Sequence, residues 1–346
     1  MQILLTGGTG YIASHTAVVL TEAGHNVILY DNLSNSHVDM VNHLQTIIGQ
    51  RLIFIEGDVR NTKLLSQILE QYKIEVVIHF AGLKAVGEST QIPIAYYDNN
   101  IGGTISLLKS MRATGVNNLV FSSSATVYGD PEYLPLNENH PISATNPYGR
   151  SKLYVEEMLA DIVVSNQNIG VNTKAWRIIN LRYFNPVGAH TSGLIGENPG
   201  DVPNNLMPYI AQVAAGKLPQ VNIFGNDYNT PDGTGVRDYI HVMDLAEGHL
   251  SALNHLNSQP NERSIIQTYN LGTGTGYSVF DMIHAFEQIS GQDIPYIITD
   301  RRPGDIASCY ADAGKANNVL GWKAIRSLED MCKSTWHFQQ TLRTNV

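Results

Sequence analysis

The sequence predicts an α/β protein built on a doubly wound parallel sheet, with a smaller mixed α/β domain beside it. Three observations lead there. Short β-branched runs alternate with helical patterns through the first 130 residues, a glycine-rich turn joins the first strand to the first helix, and the alternation breaks up after residue 185.

Strands are expected over 3–6, 27–30, 52–56, 76–81 and 119–122, with a helix over 11–23 and a further strand over 178–183 that completes the sheet. From 186 to 208 the chain is dense in Pro, Gly and Asn, and a second domain is expected to begin there. This gives a first domain over 1–185 and a second over 186–346. The two are interleaved in this reading, because the apolar segment 239–253 reads as a helix that returns to the first domain. No internal repeat, low-complexity tract or charge run interrupts the pattern.

Composition narrows the function classes. With 43% hydrophobic and 15% charged residues, the 346-residue chain reads as an ordinary globular protein, long enough for two cores. A net charge of −9 argues against a nucleic-acid binder, so any anionic ligand has to meet local cations. Met1 leads directly into the apolar run at Ile3, with no basic leader and no apolar stretch near 18 residues, so no membrane association is expected and a cytoplasmic location is the default. Two cysteines, Cys309 and Cys332, are too few for a disulfide framework or a zinc site.

The turn Gly7-Gly8-Thr9-Gly10-Tyr11-Ile12-Ala13 follows a strand and opens a helix, with Gly7, Gly10 and Ala13 in three-residue steps. Glycines there let the backbone approach a pyrophosphate, which the helix N-terminus then stabilises. By itself the trio is equally a plain tight turn. Asp31 ends the second strand 18 residues beyond Ala13, where a carboxylate accepts from the adenine ribose hydroxyls and repels a 2′-phosphate, which points to a Rossmann-type site for NAD. Asp58, after the third strand, is either an acceptor for the adenine amino group or a turn aspartate.

Asn146-Pro147-Tyr148 is a strong helix start, with Asn at the N-cap and Pro at the first helical position, so Tyr148 and Lys152 fall at i and i+4 on one face. A phenol with a pKa of about 10 becomes a base near neutrality only if its phenolate is favoured by about 4 kcal/mol. Lys152, the helix N-terminus and the nicotinamide charge are the expected sources. Ser124 closes the run Ser122-Ser123-Ser124 at the carboxyl edge of the sheet, where it either hydrogen-bonds a reacting hydroxyl or caps a turn.

On these residues the chain resembles the extended short-chain dehydrogenase/reductase superfamily, and within it the UDP-galactose 4-epimerase family. The resemblance covers 7–15, 79–89, 121–129, 147–152, 181–190, 203–212 and 225–245. It implies that Tyr11, Ile12, Asp31, Asn32, Asp58, Val59, Phe80, Lys84, Asn99, Ser124, Tyr148, Lys152 and Phe184 line an NAD site, with Tyr148 as the base. It implies that Asn185, Asn205, Leu206, Phe224, Arg237, Tyr239, Arg302 and Asp305 hold a UDP-hexose, whose diphosphate Arg237 and Arg302 suit by charge and geometry. The implied reaction inverts the sugar C4 hydroxyl through a 4-keto intermediate, and the family pairs as homodimers through a helix bundle. Cys309 falls where members restricted to UDP-glucose and UDP-galactose carry tyrosine, and a small residue there leaves room for an N-acetyl group; the plain alternative is a small buried hydrophobe.

Two rivals remain. Nucleotide-sugar 4,6-dehydratases place an Asp-Glu pair directly after the serine or threonine, where this chain has Ala125-Thr126. Non-catalytic NAD-sensing regulators lack the Tyr148–Lys152 pair.

Overall fold

The computed structural model describes residues 1–169, 174–199, 203–260, 262–302 and 304–344. Residues 200–202, within the Pro- and Gly-rich stretch, and Pro303, in the segment that carries Arg302 and Cys309, lie outside the described residues.

The first part runs β1 (Gln2–Thr6), α1 (Tyr11–Glu22), β2 (Asn26–Asp31), α2 (Asp39–Ile48), β3 (Ile53–Glu56), α3 (Thr62–Gln71) and β4 (Val76–His79). Two short helices follow, α4 (Val86–Gln91) and α5 (Pro93–Tyr96), then a π-helical turn Tyr97–Gly102, α6 (Gly103–Thr114), β5 (Asn118–Ser124), α7 (Pro147–Ile169) and β6 (Arg177–Tyr183). The remainder is β7 (Asn185–Val187), α8 (Leu206–Ala214), β8 (Val221–Phe224), β9 (Val236–His241), α9 (Val242–Ser258), β10 (Ile265–Leu271), β11 (Gly276–Tyr277), α10 (Val279–Ser290), β12 (Tyr296–Thr299), β13 (Ser308–Cys309), α11 (Gly314–Leu320) and α12 (Leu328–Thr344).

Seven parallel strands form the main sheet in the order β10-β6-β5-β4-β1-β2-β3. The apolar run Ile3-Leu4-Leu5 is explained by burial on both faces. Ile3 and Leu5 pack with Ala17, Val18 and Leu20 of α1, whereas Leu4 packs on the other face with Leu65, Ile68, Leu107, Val155 and Leu159 of α3, α6 and α7. Each such side chain contributes about 1.5–3 kcal/mol. Chain order reverses between β1 and β4, and the crevice at their carboxyl ends is where a ligand of this fold binds.

The structure corrects the expected helix over 239–253. Tyr239, Ile240 and His241 belong to β9, which pairs with β7, β11 and β13, and the helix α9 begins at Val242 with the His241 ring capping Met243 N–H at 3.1 Å. Pairing with β7, in register with Asn185, Pro186 and Val187, holds this aromatic and β-branched run extended. From Val242 on, Leu245, Ala252, Leu253 and Leu256 share a core with Ala17, Val18 and Leu20 of α1. Strand β10 joins the main sheet beside β6 as its seventh strand and was not read from the sequence. A smaller cluster from α8, β8, β9, α10 and α12 forms around Ile210, Phe286 and Met331.

Candidate active site

Gly7 adopts a φ of +68° directly after β1, and a side chain there would place its Cβ 2.7 Å from Ala81 N, so β1 and the segment after β4 come together only around glycine. Gly10 N–H donates to Gly7 O at 3.0 Å, and Gly10 caps α1 with no side chain engaging its first N–H groups. Ala13 at the third position is fully buried against the sheet. The cradle therefore fits a pyrophosphate, with the helix N-terminus aimed at it.

Asp31 ends β2 buried, accepting from Thr9 N–H at 3.1 Å, Leu33 N–H at 2.9 Å and the Ser36 hydroxyl at 3.3 Å. These three bonds fix the carboxylate and leave it about one lone-pair site for a ribose hydroxyl. Asp58 accepts from Arg60 Nη2 at 2.7 Å, from Arg60 Nε at 2.9 Å, from Arg60 N–H at 2.8 Å and from Asn32 Nδ2 at 3.1 Å. The Arg60 guanidinium holds its carboxyl far below the usual range. With those four bonds made, Asp58 accepts from an adenine amino group only by releasing one of them. Val59 is buried under α6, where Gly103 leaves room for it. Phe80 stacks obliquely on His249, 4.8 Å between ring centroids. Asn99 sits in the π-helical turn, a geometry frequent at functional sites, and donates to Asn100 Oδ1 at 3.0 Å.

Asn146 caps α7 as expected, accepting from Gly149 N–H at 2.9 Å. Tyr148 then stands in the first turn facing Ser124, which ends β5 and whose Oγ accepts from the Thr126 hydroxyl at 3.0 Å. Loss of water pushes the Tyr148 phenol above its ordinary range, opposed by the hydrogen bond with Ser124 and by the positive charge of Lys84. This differs from the expected depression by Lys152. The Lys152 ammonium, buried, instead donates to Ser122 O at 2.7 Å and lies 5.0 Å from the centroid of the Phe121 ring. Burial pushes Lys152 down to about 8, with Glu156 one turn further along α7 opposing. Lys84, from the loop after β4 and paired with Glu197 at 2.8 Å, supplies the positive charge that opposes this rise.

On the other side of the crevice, Phe184 is buried at the end of β6, and Asn185 pairs in register with Tyr239. Asn205 stands at the N-cap of α8 with Leu206 following, its Nδ2 donating to Glu197 at 2.7 Å. Phe224 ends β8 with the Arg302 guanidinium 4.6 Å from its ring centroid, and Arg302 pairs with Asp305 at 2.9 Å. Arg237 engages only the carbonyls of Val236 and Ala307 among the described residues. Both arginines act on the buried Tyr239, opposing the burial that carries its phenol to about 12. Cys309 pairs in register with Arg237 and shares a buried cluster with Ala125 and Phe184. Burial pushes its thiol to about 11.

Three residues not singled out by sequence belong with this set. Asn100 bonds Leu83 O at 3.0 Å and Ser151 Oγ at 2.9 Å, tying the Lys84 loop to α7 between Tyr148 and Lys152. Glu197 joins Lys84 to Asn205. Tyr228 has a buried hydroxyl without a hydrogen-bond partner among the described residues, in the field of Arg237, Arg301, Arg302 and Asp305.

The profile of the family described as GDP-mannose 4,6 dehydratase matches residues 4–335. The chain is 55% identical to the UDP-glucose 4-epimerase of Dictyostelium discoideum, over 98% of this chain and 95% of that protein. It superposes on the UDP-glucose 4-epimerase of Stenotrophomonas maltophila with bound NAD and formylated UDP-arabinopyranose, with a TM-score of 0.95, 49% identity and complete coverage of both chains. The enzyme of Bifidobacterium longum in complex with NAD+ and UDP gives a TM-score of 0.94 at 49% identity, again over all of both chains. A glycine cradle at the sheet's switch point, a serine, tyrosine and lysine at its carboxyl edge and paired arginines across the crevice thus coincide with close full-length kinship: the chain belongs to the UDP-glucose 4-epimerase family of the extended short-chain dehydrogenase/reductases.

Proposed function

We propose that this chain is an isomerase that inverts the C4 hydroxyl of UDP-hexoses, interconverting UDP-glucose and UDP-galactose with NAD as a held cofactor. The observation that carries the reading is the meeting of Tyr148 with Ser124 beside the glycine cradle, in the field of Lys84. NAD, when bound, supplies a hydride acceptor that returns the hydride within one cycle. Asp31 takes the adenine ribose and excludes a 2′-phosphate, and Lys152 and Asn99 flank the nicotinamide end. Tyr148 removes the proton from the 4-hydroxyl, with Ser124 aligning that oxygen, as the C4 hydride leaves for the cofactor; the resulting ketone turns about its UDP linkage, takes the hydride back at C4 on its opposite face, and recovers a proton at O4 from Tyr148. Arg237 and Arg302 hold the diphosphate while the sugar turns. Asn185, Asn205, Leu206, Phe224, Tyr239 and Asp305 hold the uridine and ribose.

The rivals are not favoured. Elimination of water needs its own acid and base, but Ala125 is buried and apolar and the Thr126 hydroxyl is spent on Ser124. The tyrosine–lysine pair that a regulator lacks is present. Purified protein given UDP-galactose without added nucleotide should form UDP-glucose, and absence of product even after NAD is supplied would overturn the reading.

The finer reading adds UDP-N-acetylglucosamine and UDP-N-acetylgalactosamine as substrates, since Cys309 leaves its stretch of pocket wall small beside Ala125 and Phe184. In this reading residues 1–185 with the return through α9 hold NAD, and the rest holds the UDP-sugar. Two copies pair through α4, α5 and α7, where Val86, Ile92, Ile94 and Tyr154 are exposed, and sedimentation at micromolar concentration tests this. A cytoplasmic location suits the two buried free thiols; no helix among the described residues is long and apolar enough to cross a membrane.

A further inference from the structure

Glu197 lies between the two halves of the site and has no part in the reading above. Its side chain is 11% exposed, and its Oε1 accepts from Lys84 Nζ at 2.8 Å and from Asn205 Nδ2 at 2.7 Å. Lys84 comes from the cofactor side, after β4, and Asn205 caps α8 on the nucleotide-sugar side. The carboxylate also faces Tyr11 at the start of α1, where its charge adds to burial in keeping that phenol protonated. A nearly buried carboxylate bonded to a cation and an amide is held in one place by both, and it holds them in turn.

Tyr148 is surrounded by few groups able to change its acidity. Lys84 and Ser124 favour the phenolate, the phenols of Tyr96 on α5 and Tyr183 on β6 face it, and Lys152 on its own helix is engaged with Ser122 O. Lys84 is the one whose position depends on a partner, because its side chain is 48% exposed and only Glu197 bonds its ammonium among the described residues.

We propose that Glu197 is a positioning residue that holds the Lys84 ammonium beside Tyr148 while tempering its charge, and that fixes the Asn205 amide for the nucleotide sugar. The proposal rests on Tyr148 being the base. It requires two substitutions to move the phenol in opposite directions. Glu197→Gln keeps an oxygen for both partners but removes the negative charge, so Lys84 acts on Tyr148 without compensation and the phenol ionises at lower pH. Glu197→Ala lets Lys84 relax into water, so the phenol ionises at higher pH, and it leaves Asn205 unrestrained.

The test is the pH dependence of kcat/KM for UDP-galactose with NAD-saturated unmodified protein, Glu197→Gln and Glu197→Ala, with Tyr148→Phe as the control. The expected result is an acid limb displaced downward by about one pH unit in the Gln variant, with KM near that of the unmodified protein. In the Ala variant the limb moves upward and KM rises several-fold. Limbs that coincide in all three proteins, or that move the same way in both variants, would overturn the proposal. If Tyr148→Phe keeps the limb, the assignment of Tyr148 fails instead, whatever Glu197 does.

Discussion

Replacing Lys152 with methionine should make the protein more stable and less active. The side chain is 5% exposed, and its ionisation is pushed from the ordinary 10.5 down to about 8, chiefly by burial. At about 1.4 kcal/mol per pH unit, keeping the ammonium charged at pH 7 costs the fold about 3 kcal/mol. Methionine removes that cost at similar length but gives up the 2.7 Å bond from the charged ammonium to Ser122 O, a loss of about 2 kcal/mol, so a net gain of about 1 kcal/mol is expected. The sign has a pH signature. A folded pKa below the unfolded one means the unfolded chain binds the proton more tightly between about 8 and 10.5, so stability of the unmodified protein rises with pH across that window. The assay is urea unfolding of nucleotide-free protein from pH 7 to 10, with the difference between unmodified and Lys152→Met protein isolating this group. The gain should shrink toward zero or reverse by pH 10. A variant that is less stable at pH 7, or a difference that does not vary with pH, would refute the reasoning.

Other outcomes follow from the same geometry. Tyr148→Phe should fold and carry NAD but lose at least about a hundredfold in kcat, the share of a positioned base, as read by coupled product assay. Asp31→Asn removes the charge and keeps an acceptor oxygen for only one of Thr9 and Leu33, which bond different oxygens of the carboxylate, so NADP should compete measurably with NAD in fluorescence titration; unchanged discrimination would remove Asp31 from that role. Cys309→Tyr places a ring beside Ala125 and Phe184, and it should cut kcat/KM for UDP-N-acetylglucosamine by at least about tenfold while sparing UDP-glucose. Equal effects on both sugars would mean that Cys309 does not gate the pocket.

What could be read from the sequence was what local spacing decides. The glycine turn at Gly7 and Gly10 needs its backbone geometry whatever surrounds it, and Asn146-Pro147 starts a helix by its own capping chemistry, so the face shared by Tyr148 and Lys152 followed directly. What was not legible depends on contacts distant in sequence. Strand β10 lies far from β6 in the chain and is recognisable as part of the main sheet only once paired with it. Tyr239 to His241 read as helix because the apolar period continues through them, yet β7 decides their conformation. The side chain of Lys152 could reach either the phenol or the Ser122 carbonyl, and spacing alone does not choose between them. Glu197 meets Lys84 across 113 residues, a pairing no motif announces.

The central claim, that one hydride leaves C4 and returns to it on the opposite face, is tested most directly with UDP-galactose carrying deuterium at C4. Incubated with the purified protein in ordinary water, it should give UDP-glucose that retains the deuterium at C4, with Tyr148→Phe forming it at least about a hundredfold more slowly. Loss of the label to solvent, or a product that has lost water, would contradict the account.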